Sequence, residues 1–290
     1  MCQNAISVLI KSRSLISIYN TIFSEEKGHK MKKIVSIMML FVMVLVVAGC
    51  AKEESADVLT IAVDDSYPPM EFRNEDNELV GFDIDFAKAL AAEMGIEVEF
   101  VPTAWEGIFS GLNSDKYDVI ISSVSITPDR LEGFEFSKPY LSNGQVIVVA
   151  PGDDSVQTPA DLEGKNVGVQ LGTTADIAVE KQLEMTPFEI TKYDDITQTF
   201  ADMKTGRLDA IVVDYAVAID YVSKNSEDFV ITTAQLTNEP IGVCIKKGNT
   251  ELKEKVDAAL LVLQGNGTML KISEEWLGGD YVSNIDEELR

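Results

Sequence analysis

From Val58 onward, short apolar runs alternate with stretches of helical period. Leu59 to Val63 reads as a buried strand and residues 64–70 as a loop. Phe86 to Met94 carries apolar residues at helical spacing and stops at Gly95, which ends a helix without a steric penalty. Val98 to Val101 is the next strand, Ile108 to Leu112 lies on a helix, and Val119 to Ile121 is a third strand. A second block repeats these units. Asn166 to Val169 predicts a strand, and Leu171 to Thr174 opens a helix through Leu183. Phe188 to Thr191 is a strand, Ile196 to Met203 a helix and Ala210 to Val213 a strand. Strand–helix–strand alternation predicts a parallel sheet in each block. Leu252 to Leu263 and Met269 to Trp276 predict two helices that return to the first block. The chain then crosses between blocks twice, near Leu141 to Val148 and near Leu236 to Cys244. Two extended crossings predict a hinge, and ligand sites concentrate in the cleft between such halves.

The blocks also match in detail, since Phe109 to Ser123 aligns with Phe200 to Asp214 without a gap. Helix–strand units resemble one another by chance. This register, however, puts Ser123 and Asp214 at equivalent positions, each where its strand ends. Ligands of open α/β sheets sit beyond the carboxyl ends of the strands.

Candidate chemistry gathers at those ends. The run from Asp118 to Arg130 passes from buried strand into Ser122, Ser123, Ser125 and Thr127, turns at Pro128 and closes on Arg130. A guanidinium there offers a planar fork of donors that suits a carboxylate. The plainer alternative is a capped helix with Thr127 at N-cap and Pro128 at N1. Gly172, Thr173 and Thr174 follow a strand and start a helix, whose free N–H groups favour an anion or are simply capped by a threonine. Asp214 either accepts hydrogen bonds from an ammonium group or caps the next helix. Tyr67, in a Tyr-Pro-Pro-Met loop, and Trp105 follow strands, where each would flank a small ligand; core packing is the ordinary role of a lone aromatic. Taken together, Arg130 and the start of the helix at Thr174 make an anion site, Asp214 a cation partner, and the aromatics cover the middle. A molecule with a carboxylate, an ammonium and a short body is an α-amino acid.

Composition narrows the field. The 290 residues are 46% hydrophobic, enough for a sizeable core, and the formal charge of −24 repels nucleic acid, so no nucleic-acid partner is expected. Upstream of Val58, Met31-Lys32-Lys33 precedes an apolar run from Ile34 to Val47, then Ala48, Gly49 and Cys50. A basic start, a short apolar stretch and small residues define a secretory signal, and the run is short for a spanning helix. Residues 1–30 lie ahead of this signal, and translation is expected to begin at Met31. Val47 to Cys50 resembles the lipobox of bacterial lipoproteins, which implies lipidation at Cys50 and a polar tether to Asp57. The single histidine, His29, lies in the leader, so the exported chain has no imidazole. That excludes Ser-His-Asp and Cys-His catalysis and histidine-ligated metal, and no metal or cofactor is expected. With Cys50 modified, Cys244 has no partner for a disulfide.

Five stretches carry a family resemblance: Tyr67 to Phe72, Leu79 to Phe86, Ile121 to Arg130, Gly168 to Thr174 and Leu208 to Asp214. Over Leu59 to Tyr281 the chain resembles the extracytoplasmic solute-binding proteins (family 3 type) that feed polar amino acids to ATP-driven importers. The resemblance implies an α/β, two-lobed periplasmic-binding-protein type II fold, with two open sheets joined by a two-strand hinge. Lobe 1 is then 58–143 with 238–290, and lobe 2 is 144–237, after an extension 1–30, a signal 31–49 and a tether 50–57. Arg130 matches the arginine that pairs with the ligand carboxylate, and Thr174 the residue that meets it from lobe 2. Asp214 matches the acid for the α-ammonium, assisted by Ser123 and Ser125. Tyr67 and Trp105 match the pair that sandwiches the ligand. Asp64 matches a position that touches the ligand side chain, and its charge favours a basic or polar amino acid. The implied partners are a free amino acid, permease and ATPase subunits, and the membrane through the lipid anchor, with the protein a monomer. Two rivals share the fold. One is a dehydratase of cyclic carboxylic acids with Glu71 or Glu106 as general acid. The other is a sensory ligand-binding module with a separate output partner.

Overall fold

The computed structural model describes residues 58–286, which belong to one compact unit. The expectations for the upstream extension, the signal, Met31, Cys50 and the tether lie outside the described residues. The chain opens with β1 (Val58–Val63) and then forms a small meander, β2 (Ser66–Tyr67), β3 (Glu71–Arg73) and β4 (Leu79–Val80). Then follow α1 (Phe82–Met94), β5 (Glu97–Pro102), α2 (Trp105–Asn113), β6 (Val119–Ile120), α3 (Pro128–Gly133) and β7 (Phe134–Phe136). The second half carries β8 (Gln145–Val149), β9 (Asn166–Gln170), α4 (Thr174–Leu183), β10 (Glu189–Tyr193), α5 (Ile196–Lys204) and β11 (Ala210–Asp214). It continues with α6 (Tyr215–Lys224) and β12 (Val230–Gln235). Finally β13 (Cys244–Lys246), α7 (Thr250–Gly265) and α8 (Thr268–Leu277) return to the first half.

Two five-stranded sheets share one plan. Their orders are β5-β1-β6-β13-β7 and β10-β9-β11-β8-β12. In each, three parallel strands come from strand–helix units, and the fourth position is an antiparallel strand that arrives over a crossing. The central parallel strands β1, β6, β9 and β11 are largely apolar on both faces because helices cover both sides, while the edge strands β5 and β10 expose Glu97, Glu99, Glu189 and Lys192. Ile61, Val119, Val167 and Ile211 are fully buried. The aligned segments Phe109–Ser123 and Phe200–Asp214 are helix, turn and strand in both sheets.

The crossings run side by side. Leu236 N–H donates to Gln145 O (2.8 Å), Glu239 N–H to Asn143 O (3.0 Å) and Ile241 N–H to Leu141 O (3.0 Å). Their backbones approach so closely that a Cβ on Gly144 would stand 2.2 Å from Thr237 O, so only glycine fits. Helices α7 and α8 pack on α1, and Trp276 Nε1 donates to Asp85 Oδ2 (2.9 Å).

Two local expectations need correction. The stretch 64–70 is not all loop, because Ser66 and Tyr67 pair with Phe72 and Glu71 in the meander. Helix α1 begins at Phe82, earlier than its apolar spacing marks. Gly81, at φ 136°, turns the chain against Met70 O where a Cβ would stand 2.2 Å away, and Asp83 and Asp85 occupy the first turn.

Candidate functional site

A narrow cavity lies between the two sheets, at the carboxyl ends of β1, β6, β9 and β11. Ser122, Ser123 and Ser125 follow β6 to this wall because the backbone leaves the sheet after Ile120, with Ser123 at φ 47°. Thr127 caps α3 by accepting from Arg130 N–H at 3.2 Å, and Pro128 occupies N1. The predicted cap therefore forms, and it aims Arg130 into the cleft. The guanidinium lies 5.5 Å from the Trp105 ring and 5.1 Å from the Phe109 ring, and one nitrogen donates to Ser125 O (2.9 Å). Among the described residues, Arg130 has no carboxylate within ion-pairing distance. Burial lowers its pKa, yet a guanidinium stays charged.

Asp214 ends β11 on the opposite lobe and is 6% exposed. It stands at the N-cap of α6 without capping it. Its oxygens instead accept from Tyr67 Oη (2.5 Å), Asn143 Nδ2 (2.6 Å) and Gln145 Nε2 (2.6 Å). Burial raises its pKa, and the Tyr67, Asn143 and Gln145 bonds oppose that rise. Among the described residues, the cleft thus holds an arginine without an anion and an aspartate without a cation.

The lobes meet directly around this pair. Trp105 Nε1 donates to Gly172 O (3.1 Å), Gln170 Nε2 to Asp64 Oδ2 (3.0 Å), and Ser125 and Thr174 hydroxyls stand 3.4 Å apart. Asp64 is buried, which raises its pKa, and Ser66 Oγ reaches both Asp64 Oδ1 (2.8 Å) and Asp195 Oδ1 (3.1 Å) across the gap. One hydroxyl proton serves one of those carboxylates at a time.

The expected residues divide into two groups. Asp64, Tyr67, Trp105, Ser125, Arg130, Thr173, Thr174 and Asp214 all line the cavity. Thr173 caps α4, donating to Gln170 O and accepting from Asp176 N–H. Ser122 and Ser123 also line it, but their hydroxyls are taken by acids: Ser122 donates to Glu71 Oε1 (2.7 Å), which itself lines the cavity, and Ser123 to Asp83 Oδ2 (3.0 Å). Gly172 departs from expectation. Its N–H donates to Asp176 Oδ2 (3.0 Å) and its carbonyl accepts from Trp105, so it latches the cleft and its N–H is not free for an anion.

Three polar neighbours escaped the sequence reading, Gln170, Gln145 and Asp83, and Glu71 entered it only as a general acid of the dehydratase rival. Gln170 ends β9, so the strand-end rule reaches it. Gln145 opens an antiparallel strand, so its amino end faces the cleft and that rule misses it.

Residues 59–279 match bacterial extracellular solute-binding proteins, family 3. The chain belongs to this family. It is similar to the L-cystine-binding protein TcyJ of Escherichia coli (34% identity over 230 residues, 79% of this chain and 86% of TcyJ). The L-arginine-binding protein of Pseudomonas aeruginosa is 31% identical over 262 residues, 88% of this chain and all of that protein. Among solved structures, an ancestral arginine-binding protein bound to arginine superposes with a TM-score of 0.72 at 42% identity, covering 76% of this chain and 98% of that one. Its fold is therefore that of the two-lobed amino-acid-binding proteins. The ancestral amino acid-binding protein AncCDT-1, a precursor of cyclohexadienyl dehydratase, is also similar (TM-score 0.71, 37% identity, 76% and 95% covered).

Proposed function

We propose that this family 3 solute-binding protein captures a free polar amino acid outside the cytoplasmic membrane and hands it to an ATP-driven importer. It acts as a monomer held at the membrane by a lipid on Cys50. The observation that carries the reading is the unbalanced pair: Arg130 lacks an anion on one wall and Asp214 lacks a cation on the other. A zwitterion balances both, its carboxylate on Arg130 and Thr174 and its ammonium on Asp214, between Tyr67 and Trp105. Because it then touches both lobes, it binds the closed form better than the open one. Asp64 and Asp195 share one hydroxyl, so a cationic side chain relieves their repulsion, and a basic amino acid is favoured. The arginine-binding relatives support that choice, while the cystine-binding relative keeps a longer polar ligand in view.

The dehydratase alternative needs a carboxylic acid free to protonate a substrate. Glu106 is exposed on α2, and Glu71 is engaged with Ser122 and Asp83. The deciding experiment is a thermal-shift panel of the common amino acids, cystine and ornithine, followed by calorimetry on Arg130→Ala. Removing one partner of a buried charge pair costs about 2–5 kcal/mol, and every ~1.4 kcal/mol is tenfold in affinity. The variant is expected to fold and to bind more than tenfold more weakly. An unchanged dissociation constant refutes the assignment.

A further inference from the structure

Gln145 is 1% exposed, lines the cavity and belongs to the first crossing. Its backbone joins the two crossings, with its N–H donating to Thr237 Oγ1 (2.9 Å) and its carbonyl accepting from Leu236 N–H (2.8 Å). Its side-chain nitrogen lies 2.6 Å from Asp214 Oδ1, 3.0 Å from Thr174 Oγ1 and 3.3 Å from Glu239 Oε2. Three acceptors, two of them carboxylates, fix which end of the amide is nitrogen, since a carbonyl oxygen turned that way would face two acids. The opposite end is then fixed as well. Oε1 is buried and has no hydrogen-bond donor among the described residues. A buried carbonyl oxygen without a donor is unfavourable, and a donor that reaches it restores the loss.

We infer that Gln145 completes the ammonium site: Oε1 accepts an N–H from the α-ammonium of the bound amino acid while Nε2 holds Asp214 and Thr174 in place. The inference rests on the amino-acid reading above. It adds a consequence for motion. The residue that touches the ligand is the one whose backbone ties the crossings, so ammonium capture orders the hinge in its closed geometry.

Calorimetry with L-arginine compares wild type, Gln145→Met, Asp214→Asn and the double variant, and is repeated with 5-guanidinopentanoate, which lacks the α-amino group. If the wild type answers to L-cystine alone, the four proteins are titrated with L-cystine. Gln145→Met is expected to weaken amino-acid binding about tenfold to a hundredfold, and to change 5-guanidinopentanoate binding by less than about threefold. In the Asp214→Asn background the Gln145→Met penalty is expected to stay above about threefold. Loss of that residual penalty overturns the direct contact, because Gln145 then acts only through Asp214. Equal penalties for both ligands overturn it too, as the mark of general packing. If Gln145→Met does not fold, a crystal structure of the wild type with the amino acid decides: a ligand nitrogen within about 3.2 Å of Oε1 supports the contact, and none within about 3.5 Å overturns it. A wild type that binds no amino acid fells the reading and the inference together. A wild type that binds while Gln145→Met binds as tightly fells the inference alone.

Discussion

Asp214 and the pair Glu71–Asp83 are all buried carboxyls beside one cleft, yet their surroundings ask different things of them. Asp214 faces the cavity and accepts three hydrogen bonds from neutral donors, each of which favours the ionised form. Glu71, which also lines the cavity, and Asp83 face each other. Burial and the neighbouring Asp83 hold the Glu71 carboxyl well above the usual carboxylate range, and burial holds Asp83 up at about 6. Glu71 Oε2 has no N–H or O–H donor among the described residues, so the group it can bond is Asp83, through one shared proton. Tyr140 Oη (2.8 Å) and Ser123 N–H (2.6 Å) support the Asp83 end, and Ser122 Oγ the Glu71 end. Neither burial nor the number of donors separates the two, since Asp83 accepts from Tyr140 Oη, Ser123 N–H and Ser123 Oγ as Asp214 does from its three donors; the difference is the second acid, Glu71, that Asp83 faces. Donors around a buried acid favour its charged form, and a second buried acid facing it favours a shared proton.

The largest expected effect tests the charged side of this contrast. Asp214→Asn leaves the shape and removes the charge. It is expected to weaken amino-acid binding at least about thirtyfold, the lower bound for deleting one partner of a desolvated charge pair. Glu71→Gln should change the same affinity less than about threefold, the size of a single weak hydrogen bond. Calorimetry on both variants with one ligand checks this. Similar losses in the two would abolish the distinction.

How much of this was legible beforehand follows from where each signal resides. The strands β1, β6, β9 and β11 are continuous apolar runs because parallel strands are covered on both faces, so the sequence exposes them. Thr127, Pro128 and Arg130 form a local capping pattern, and the structure follows it. Ser66 and Tyr67 pair with Phe72 and Glu71, and a two-residue strand carries no periodicity to read. The Glu71–Asp83 proton was invisible, because nothing in either residue's neighbourhood along the chain says that β3 and α1 set them face to face. Gly172 misled for a related reason: the N–H that looked free is taken by Asp176, one turn along its own helix.

The next effect in size concerns the neutral pair. A carboxyl whose folded pKa is raised contributes most below its unfolded value, near about 4, and that contribution is lost as pH rises through the folded pKa. For Asp83 the window runs from the ordinary carboxylate value of 3.8 to about 6, and for Glu71 it extends higher. In Glu71→Gln an amide N–H replaces the shared proton and does not titrate. Between about pH 4.5 and pH 8 the wild type is expected to lose about 2 kcal/mol more unfolding free energy than this variant. Asp64 and Asp214 also have raised pKa values and titrate in both proteins, so they largely cancel in the comparison, Asp64 less completely because its charge also raises Glu71. Urea unfolding at the two pH values measures the difference, and parallel declines would mean that no proton is shared.

The smallest effect concerns the donor that reaches across the cleft. Tyr67 Oη contacts Asp214 Oδ2, and that bond lowers the pKa of Asp214 against the rise that burial imposes. Tyr67→Phe keeps the ring beside the ligand and removes the bond. Asp214 must be ionised to hold an ammonium, so binding weakens as pH falls through its pKa. Without the tyrosine donor that pKa moves further up, and the acid limb of the affinity profile moves with it to higher pH. At neutral pH the ammonium itself replaces the missing donor, so affinity should fall less than about tenfold. Calorimetry across the acid range on both proteins reads the midpoint. A midpoint that stays in place, or moves to lower pH, would mean that Asp214 draws its charge from Asn143 and Gln145 alone, and that the tyrosine contributes contact surface and nothing to the electrostatics of the site.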